Sequence, residues 1–307
     1  MMRLLITGAS GFVGRHMASY AAMHGAAVFG ISRQIETNVD MTMLVADLNN
    51  AAATVHALET AAPDAIIHLA ARTPANNPAL ALRDWLTETP IATLNLLEAA
   101  RSFCPQAAIL VVSSSAVYGH VPVERLPIIE DYPLQPATMY GVSKAVQELL
   151  ALRYAAECGM RIVRARPFNL VGPGEPRAML TSTLAAQVAA IVQGKQSSVV
   201  RMRHRATSRD FIDVRDAVAA YWALLEHGEP GGVYNVCSGT ATPIGEIAER
   251  LLSLAGVDAR IEETGSHTSG DILAQAGSAE RLRAATGWQP RFDLTSSLRD
   301  LLIALMP

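Results

Sequence analysis

The stretch Thr7-Gly8-Ala9-Ser10-Gly11-Phe12-Val13-Gly14 decides how this chain is read. It follows a short apolar run, residues 4–7, and opens a longer amphipathic one, residues 12–24, that stops at Gly25. Three glycines spaced three apart allow a tight turn, a close backbone approach to an anion, and close packing of helix on strand. The helix start adds free N–H groups and the positive end of the helix dipole. A glycine triplet alone is a weak signal. Set between a strand and a helix, it reads as a pyrophosphate-binding loop, the competing reading being a glycine turn with no ligand.

The same rhythm continues outward from the loop. Residues 27–32, 43–46, 65–70, 108–113 and 161–166 read as short buried strands, and residues 51–62, 85–103 and 140–158 as helices between them. Apolar strands spaced by helices imply a parallel sheet covered on both faces, a Rossmann-like doubly wound α/β fold. After Asn169 the rhythm changes. Gly172, Pro173, Gly174 and Pro176 cluster, then come a helix at 180–193, a basic stretch at 201–209, a strand at 233–236 and helices at 244–255 and 294–305. The expected division is a dinucleotide-binding domain over residues 1–168, with a later strand near 210–236 returning to it. A smaller interleaved region, mainly substrate-binding, covers 169–307.

The cofactor choice rests on the tip of the second strand. A site for NAD usually carries an acid there, bonding the adenine ribose diol. Here the tip is Gly30-Ile31-Ser32-Arg33, and Arg33 with Ser32 can instead receive a 2′-phosphate. NADP is therefore expected, with NAD the alternative and a solvated or adenine-stacking Arg33 the competing reading. Asp47-Leu48, after the third strand, places a carboxylate where it could accept from the adenine amino group, or where it simply closes a turn.

Tyr140 and Lys144 stand four residues apart at a helix start, hence on one face. A phenol with a pKa near ~10 is a poor acid–base at neutral pH, and a nearby ammonium lowers that pKa. At the end of the apolar strand, Ser113-Ser114-Ser115-Ala116-Val117-Tyr118-Gly119 puts serines where ligands of this fold class bind. A tyrosine and lysine at this spacing, or a serine at a strand end, is common by chance. The three in this order are not.

Composition sets the surroundings. Half of the 307 residues are hydrophobic, enough for a substantial core, and the net charge of −3 offers no basic field for nucleic acid or an anionic membrane. An anionic substrate would need local arginines, and Arg201, Arg203, His204, Arg205 and Arg209 supply a run of them unless that run is a solvated face. Cys104, Cys158 and Cys237 show neither metal spacing nor a redox pair, which points to a reducing compartment. With no apolar run of membrane length, the cytoplasm is the expected location.

The motifs TGASGFVG (7–14), HLAA (68–71), SSSAVYG (113–119), YGVSK (140–144), RPFNLVGPG (166–174), SRDFIDV (208–214), VYNVCSG (233–239) and TGWQP (286–290) resemble the extended short-chain dehydrogenase/reductase family over almost the whole chain. The resemblance implies Ser114, Tyr140 and Lys144 as the catalytic set. It implies Gly8, Ser10, Gly11, Phe12, Val13, Gly14, Arg33, Asp47, Leu48, Leu69, Ala70, Ala71 and Pro167, with Tyr140 and Lys144, as cofactor contacts. Ser115, Asn169 and Arg209 fall on substrate positions. The related sugar 4,6-dehydratases carry an acid two residues before the VYG tyrosine, and Ala116 stands there. What remains are reductases and epimerases. RPFNLVGPG, SRDFIDV and VYNVCSG look most like GDP-4-keto-6-deoxy-mannose reductases, which reduce the C4 ketone of a nucleotide sugar to give GDP-rhamnose. An NAD-dependent 4-epimerase and a non-catalytic redox sensor are the rival readings. Two departures from the family pattern stand out: Thr89 replaces a usual Asn, and Thr268 replaces an Arg three residues before Asp271. His68 reads as packing and loop support. The resemblance also implies a homodimer through the helix carrying Tyr140 and the helix at 85–103.

Overall fold

In the computed structural model, which describes residues 1–34, 41–74, 80–265 and 272–306, the alternation takes the expected form. The first part runs β1 (Arg3–Thr7), α1 (Phe12–Met23), β2 (Ala27–Ser32), β3 (Thr42–Val45), α2 (Ala51–Ala61), β4 (Ala65–His68), α3 (Leu82–Phe103), β5 (Ala108–Val112), α4 (Met139–Cys158) and β6 (Ile162–Pro167). The second runs β7 (Asn169–Val171), α5 (Leu180–Val192), β8 (Val199–Met202), β9 (Ser208–Asp213), α6 (Val214–His227), β10 (Val233–Val236), β11 (Ala241–Pro243), α7 (Ile244–Ala255), β12 (Arg260–Glu263), β13 (Ala274–Gln275), α8 (Glu280–Thr286) and α9 (Leu294–Leu305).

Seven parallel strands form the central sheet in the order β10-β6-β5-β4-β1-β2-β3. Successive strands depart in opposite directions from β1, so the order reverses between β1 and β4. That switch point is where a doubly wound sheet opens a crevice at its strand ends. Strand periodicity sends alternate side chains to opposite faces. Leu4 and Ile6 of β1 join Leu110, Tyr221 and Trp222 in one core, while Leu5 joins Leu58, Leu96, Leu97 and Ile109 in the other. Burial on both faces is why these strands read as unbroken apolar runs.

Several elements depart from the expected bounds or were not expected. The strand read at 65–70 stops at His68, because the Ala70 N–H leaves the ladder and donates to Thr7 Oγ1 at 3.1 Å. β10 pairs in parallel with β6 and lies at the edge of the large sheet. α6, not expected, accompanies it, capped by Asp213, whose carboxylate accepts from Arg215 N. The basic stretch is a turn between two strands. Its ends form β8 and β9, where β12 pairs β8 and β7, β11 and β13 pair β9. A third core, built from α5, α7 and α9 around Leu184, Ile247 and Leu301, supports these small sheets.

Candidate active site

The phosphate loop is shaped by what its glycines permit. Gly8 has φ +68, and a Cβ there would meet Ala70 N at 3.0 Å. A Cβ on Gly14 would lie 2.4 Å from the Gly8 carbonyl oxygen, so helix and loop could not close with any larger residue. Gly8 N and Ala9 N donate to the Ile31 carbonyl, tying the loop to β2. α1 starts from Gly11 with no side-chain cap and no acid in its first turn. Its N-terminal N–H groups remain available to an anion.

Around this loop a cavity of about 700 Å³ runs across the strand ends. Its wall includes Gly8, Ser10, Gly11, Phe12, Val13, Gly14, Arg33, Asp47, Leu48, Leu69, Ala70, Ala71, Ser114, Ser115, Tyr140, Lys144, Pro167 and Asn169. The volume lies within the ~300–1,000 Å³ of ordinary ligand sites. At the β2 tip the Ser32 and Ser10 hydroxyls lie 3.1 Å apart, and Arg33 is exposed beside them. Asp47 Oδ1 closes a turn by accepting from Asn49 N at 3.0 Å. These residues fit a dinucleotide: an uncapped helix start for its pyrophosphate, a cradle that any Cβ would fill, and a cation rather than an acid at the β2 tip.

The catalytic candidates meet at the middle of the cavity. Thr138 caps α4 by accepting from Gly141 N at 3.0 Å, which sets Tyr140 in the first turn. The Ser114 hydroxyl stands near enough to the Tyr140 phenol to act on its titration, and the phenol ring meets Trp85 edge-on at 6.0 Å. Lys144, one turn on, is buried; its Nζ donates to Val112 O at 2.8 Å and Gln147 Oε1 at 2.9 Å. The charge relation expected from the spacing is corrected here. Burial raises the Tyr140 pKa above its ordinary value, and the Ser114 hydroxyl offsets only part of this. Burial likewise lowers Lys144 to about 7, against an opposing pull from Glu148. Desolvation penalises both charged forms.

At the other end, Ser115 and Asn169 are already engaged with protein. Ser115 Oγ donates to Gln275 Oε1, and Gln275 Nε2 donates back to the Ser115 carbonyl, each at 3.2 Å. Asn169 Nδ2 donates to the Asp210 carbonyl at 2.9 Å. Arg209 is the one expected contact that does not line the cavity; its Nη1 donates to the Ser208 carbonyl. Other members of the basic run are paired, Arg201 with Glu262 and Arg205 with Glu249. Thr89, in place of the usual Asn, accepts from Arg72 N at 3.1 Å, and the departures at Thr268 and Asp271 lie outside the described residues.

Several wall residues were not anticipated: the ion pair Arg72–Glu88, together with Met179, Leu180, Tyr221 and Gln275. Arg72 directly follows HLAA and was within reach of a motif reading. Gln275 sits in no motif, and Tyr221 lies on the helix that was not expected. Among the described residues, the buried hydroxyls of Ser113 and Tyr221 make no protein hydrogen bond. No group of His, Cys, Asp and Glu there could hold a metal, and no helix is long and apolar enough to cross a membrane.

A sheet that switches direction over a glycine loop, with Ser, Tyr and Lys at its strand ends, defines a class, and the chain belongs to the NAD dependent epimerase/dehydratase family, whose model matches residues 4–237. Among its curated relatives, GDP-6-deoxy-D-mannose reductase of Pseudomonas aeruginosa is 36% identical over 98% of this chain and 96% of its own length. GDP-6-deoxy-D-talose 4-dehydrogenase of Aggregatibacter actinomycetemcomitans is 28% identical over 98% of this chain and 96% of its own. The solved structure of RMD from Pseudomonas aeruginosa complexed with NADPH superposes with a TM-score of 0.86 at 35% identity, covering 99% of both chains.

Proposed function

We propose that this chain is an NAD(P)H-dependent oxidoreductase that reduces the C4 ketone of a nucleotide-linked 4-keto-6-deoxy sugar, converting GDP-4-keto-6-deoxy-D-mannose to GDP-D-rhamnose. The observation that carries this reading is the convergence of Ser114, Tyr140 and Lys144 on one cavity with the phosphate loop. The relatives named for GDP-6-deoxy sugars supply the substrate class.

Bound, the dinucleotide would supply the hydride; the protein's part is to hold and move a proton. The Tyr140 phenol, neutral because burial raises its pKa, is the proton donor to the carbonyl oxygen. Ser114, whose hydroxyl acts on that phenol, would donate to the same oxygen as it gains charge. Lys144 has three ammonium hydrogens and spends two on Val112 and Gln147, so the third is free to stabilise the phenolate that proton transfer leaves.

Consumption of NADPH with a panel of 4-keto nucleotide sugars tests the reading. Oxidation dependent on the GDP-linked ketone supports it. Interconversion of UDP-hexoses with no added reductant would instead make the chain a 4-epimerase. Arg33 carries the cofactor preference. Arg33→Ala should raise the KM for NADPH about tenfold, the loss of one charge-assisted hydrogen bond, and leave the KM for NADH nearly unchanged.

The working assembly in this reading is a homodimer of cytoplasmic protein. Leu86, Ile91 and Leu94 of α3 and Leu149 of α4 are exposed on the two helices proposed to meet the second copy. Light scattering on a size-exclusion column should give about twice the chain mass, and Leu94→Glu combined with Leu149→Glu should halve it. Cell fractionation tests the location, for which free Cys104, Cys158 and Cys237 favour a reducing compartment.

A further inference from the structure

Behind Lys144 runs a buried chain of hydrogen bonds that the proton transfer does not itself use. Lys144 Nζ donates to Gln147 Oε1 at 2.9 Å, and Gln147 Nε2 donates to Thr93 Oγ1 at 2.9 Å. His68 Nε2 lies 2.9 Å from the same threonine oxygen, and His68 Nδ1 lies 2.7 Å from Thr7 Oγ1. Thr7 Oγ1 accepts from Ala70 N, beside the phosphate loop. Lys144, Gln147, Thr93, His68 and Thr7 are all buried. The chain links α4 through α3 and β4 to β1, four of the elements that frame the cavity.

Counting hydrogens fixes its direction. The Thr93 hydroxyl gives its single hydrogen to the Thr89 carbonyl at 2.9 Å, so it can only accept from its other neighbours. His68 Nε2 is therefore the protonated nitrogen. Burial and the charge of Lys144 push the His68 pKa down to about 3, which leaves the imidazole neutral with that one hydrogen. Nδ1 is then an acceptor and takes the Thr7 hydroxyl hydrogen. By the same count Gln147 must turn its amide nitrogen to Thr93, and its oxygen necessarily faces Lys144. The orientation of Gln147 is thus imposed from behind.

The geometry points to Gln147 as a positioning residue for Lys144: braced by Thr93 and His68, it joins the Val112 carbonyl in taking two ammonium hydrogens and aims the third at the cavity. Lysine has a flexible four-carbon stem, and two fixed acceptors select one of its rotamers. The inference rests on the reductase reading only for the use made of Lys144. The groups facing that ammonium are His68 on β4, held neutral, Tyr140 one turn before it, and Glu148 on its own helix. Arg164 and Arg166 of β6 oppose Glu148 from the far side.

Two substitutions separate this role from packing. Gln147→Leu removes an acceptor from the ammonium, so NADPH affinity should weaken about tenfold, and its loss at high pH should begin about one pH unit lower. Gln147→Glu puts a negative acceptor in the same place, so that loss should begin about one unit higher. A packing role cannot move the limb in opposite directions. Binding is followed by NADPH fluorescence against pH. Nitrogen-15 NMR of the wild-type protein, with no ligand added, should find the His68 hydrogen on Nε2, and that result decides the direction of the chain even if Gln147→Glu does not fold. A hydrogen on Nδ1, or wild-type affinity and pH limb in Gln147→Leu, overturns the inference. Wild-type protein with these limbs that reduces no keto-sugar sinks the substrate reading alone.

Discussion

Tyr140→Phe should lower kcat by about a thousandfold or more while the Kd for NADPH stays within about twofold. The substitution removes one O–H and keeps the ring, so the edge-on contact with Trp85 and the capping of α4 by Thr138 persist. Two losses coincide in that hydroxyl. In the proposed mechanism it is the proton donor, a role worth ~10²–10⁴ in rate, and it helps bind the oxygen as it gains charge, a role worth ~10²–10³. They act on one transition state and do not multiply in full. Ser114→Ala should cost less, because Tyr140 still reaches the oxygen. The pH profile carries a sign as well. Burial lowers Lys144 to about 7, so its ammonium is complete below that pH and lost as pH rises through it. The kcat/KM for NADPH, which reports the free protein, should therefore fall above about pH 7. Steady-state rates against pH measure both effects, and a Tyr140→Phe protein of unchanged kcat would remove the phenol from the mechanism.

Much of this site was legible because parallel strands buried on two faces have no polar side to show. AII (65–67) and AILVV (108–112) are continuous apolar runs, and the residues just after such runs are where the cavity opens. Gly8 and Gly14 were legible for a related reason: side chains rarely adopt the φ of one, and a Cβ on the other would strike the loop backbone. The small sheets of the second half were not. β7, β11 and β13 have two or three residues each, and all pair with β9, whose partners come from distant parts of the chain. Local pattern cannot report such pairing. α6 could have been found, since Asp213 before Val214, Val218 and Tyr221 is a cap followed by helical spacing. The titration of Tyr140 and Lys144 was the deepest miss. Spacing put the two on one face, correctly, but the sign of each pKa shift depends on how far water is excluded, and Gln147, Thr93 and His68 come together only in the fold.

Glu148→Gln should be the most destabilising single change near the site, lowering stability by about 3–5 kcal/mol, the range for leaving a buried charge unpaired. Glu148 lies one turn beyond Lys144 on α4, with its side chain 1% exposed. Its carboxylate accepts from Arg166 Nε at 3.1 and 3.0 Å, from Arg166 Nη2, and from Arg164 Nη1 at 3.4 Å. Arg166 also donates to the Tyr118 hydroxyl and the Glu130 carbonyl, each at 2.8 Å. Burial alone would lower the Arg166 pKa, yet its bonds to Glu148 raise it well above the ordinary value, so the guanidinium stays charged and cannot escape by losing a proton. A glutamine at 148 has the size but only one acceptor oxygen, no charge, and an NH₂ that must face donors. In a chain of this length the loss corresponds to a fall in Tm of roughly 5–8 °C. Arg166→Met should cost a comparable amount, and the two changes together less than their sum, since each alone strands a charge that the pair removes. The carboxylate also raises Lys144, so Glu148→Gln should move the high-pH loss of NADPH affinity to still lower pH. Calorimetry and NADPH titration measure the two effects separately. A normal Tm with a displaced pH limb would mean that the buried pair tunes the lysine without supporting α4, and the reverse would mean that it supports the helix alone.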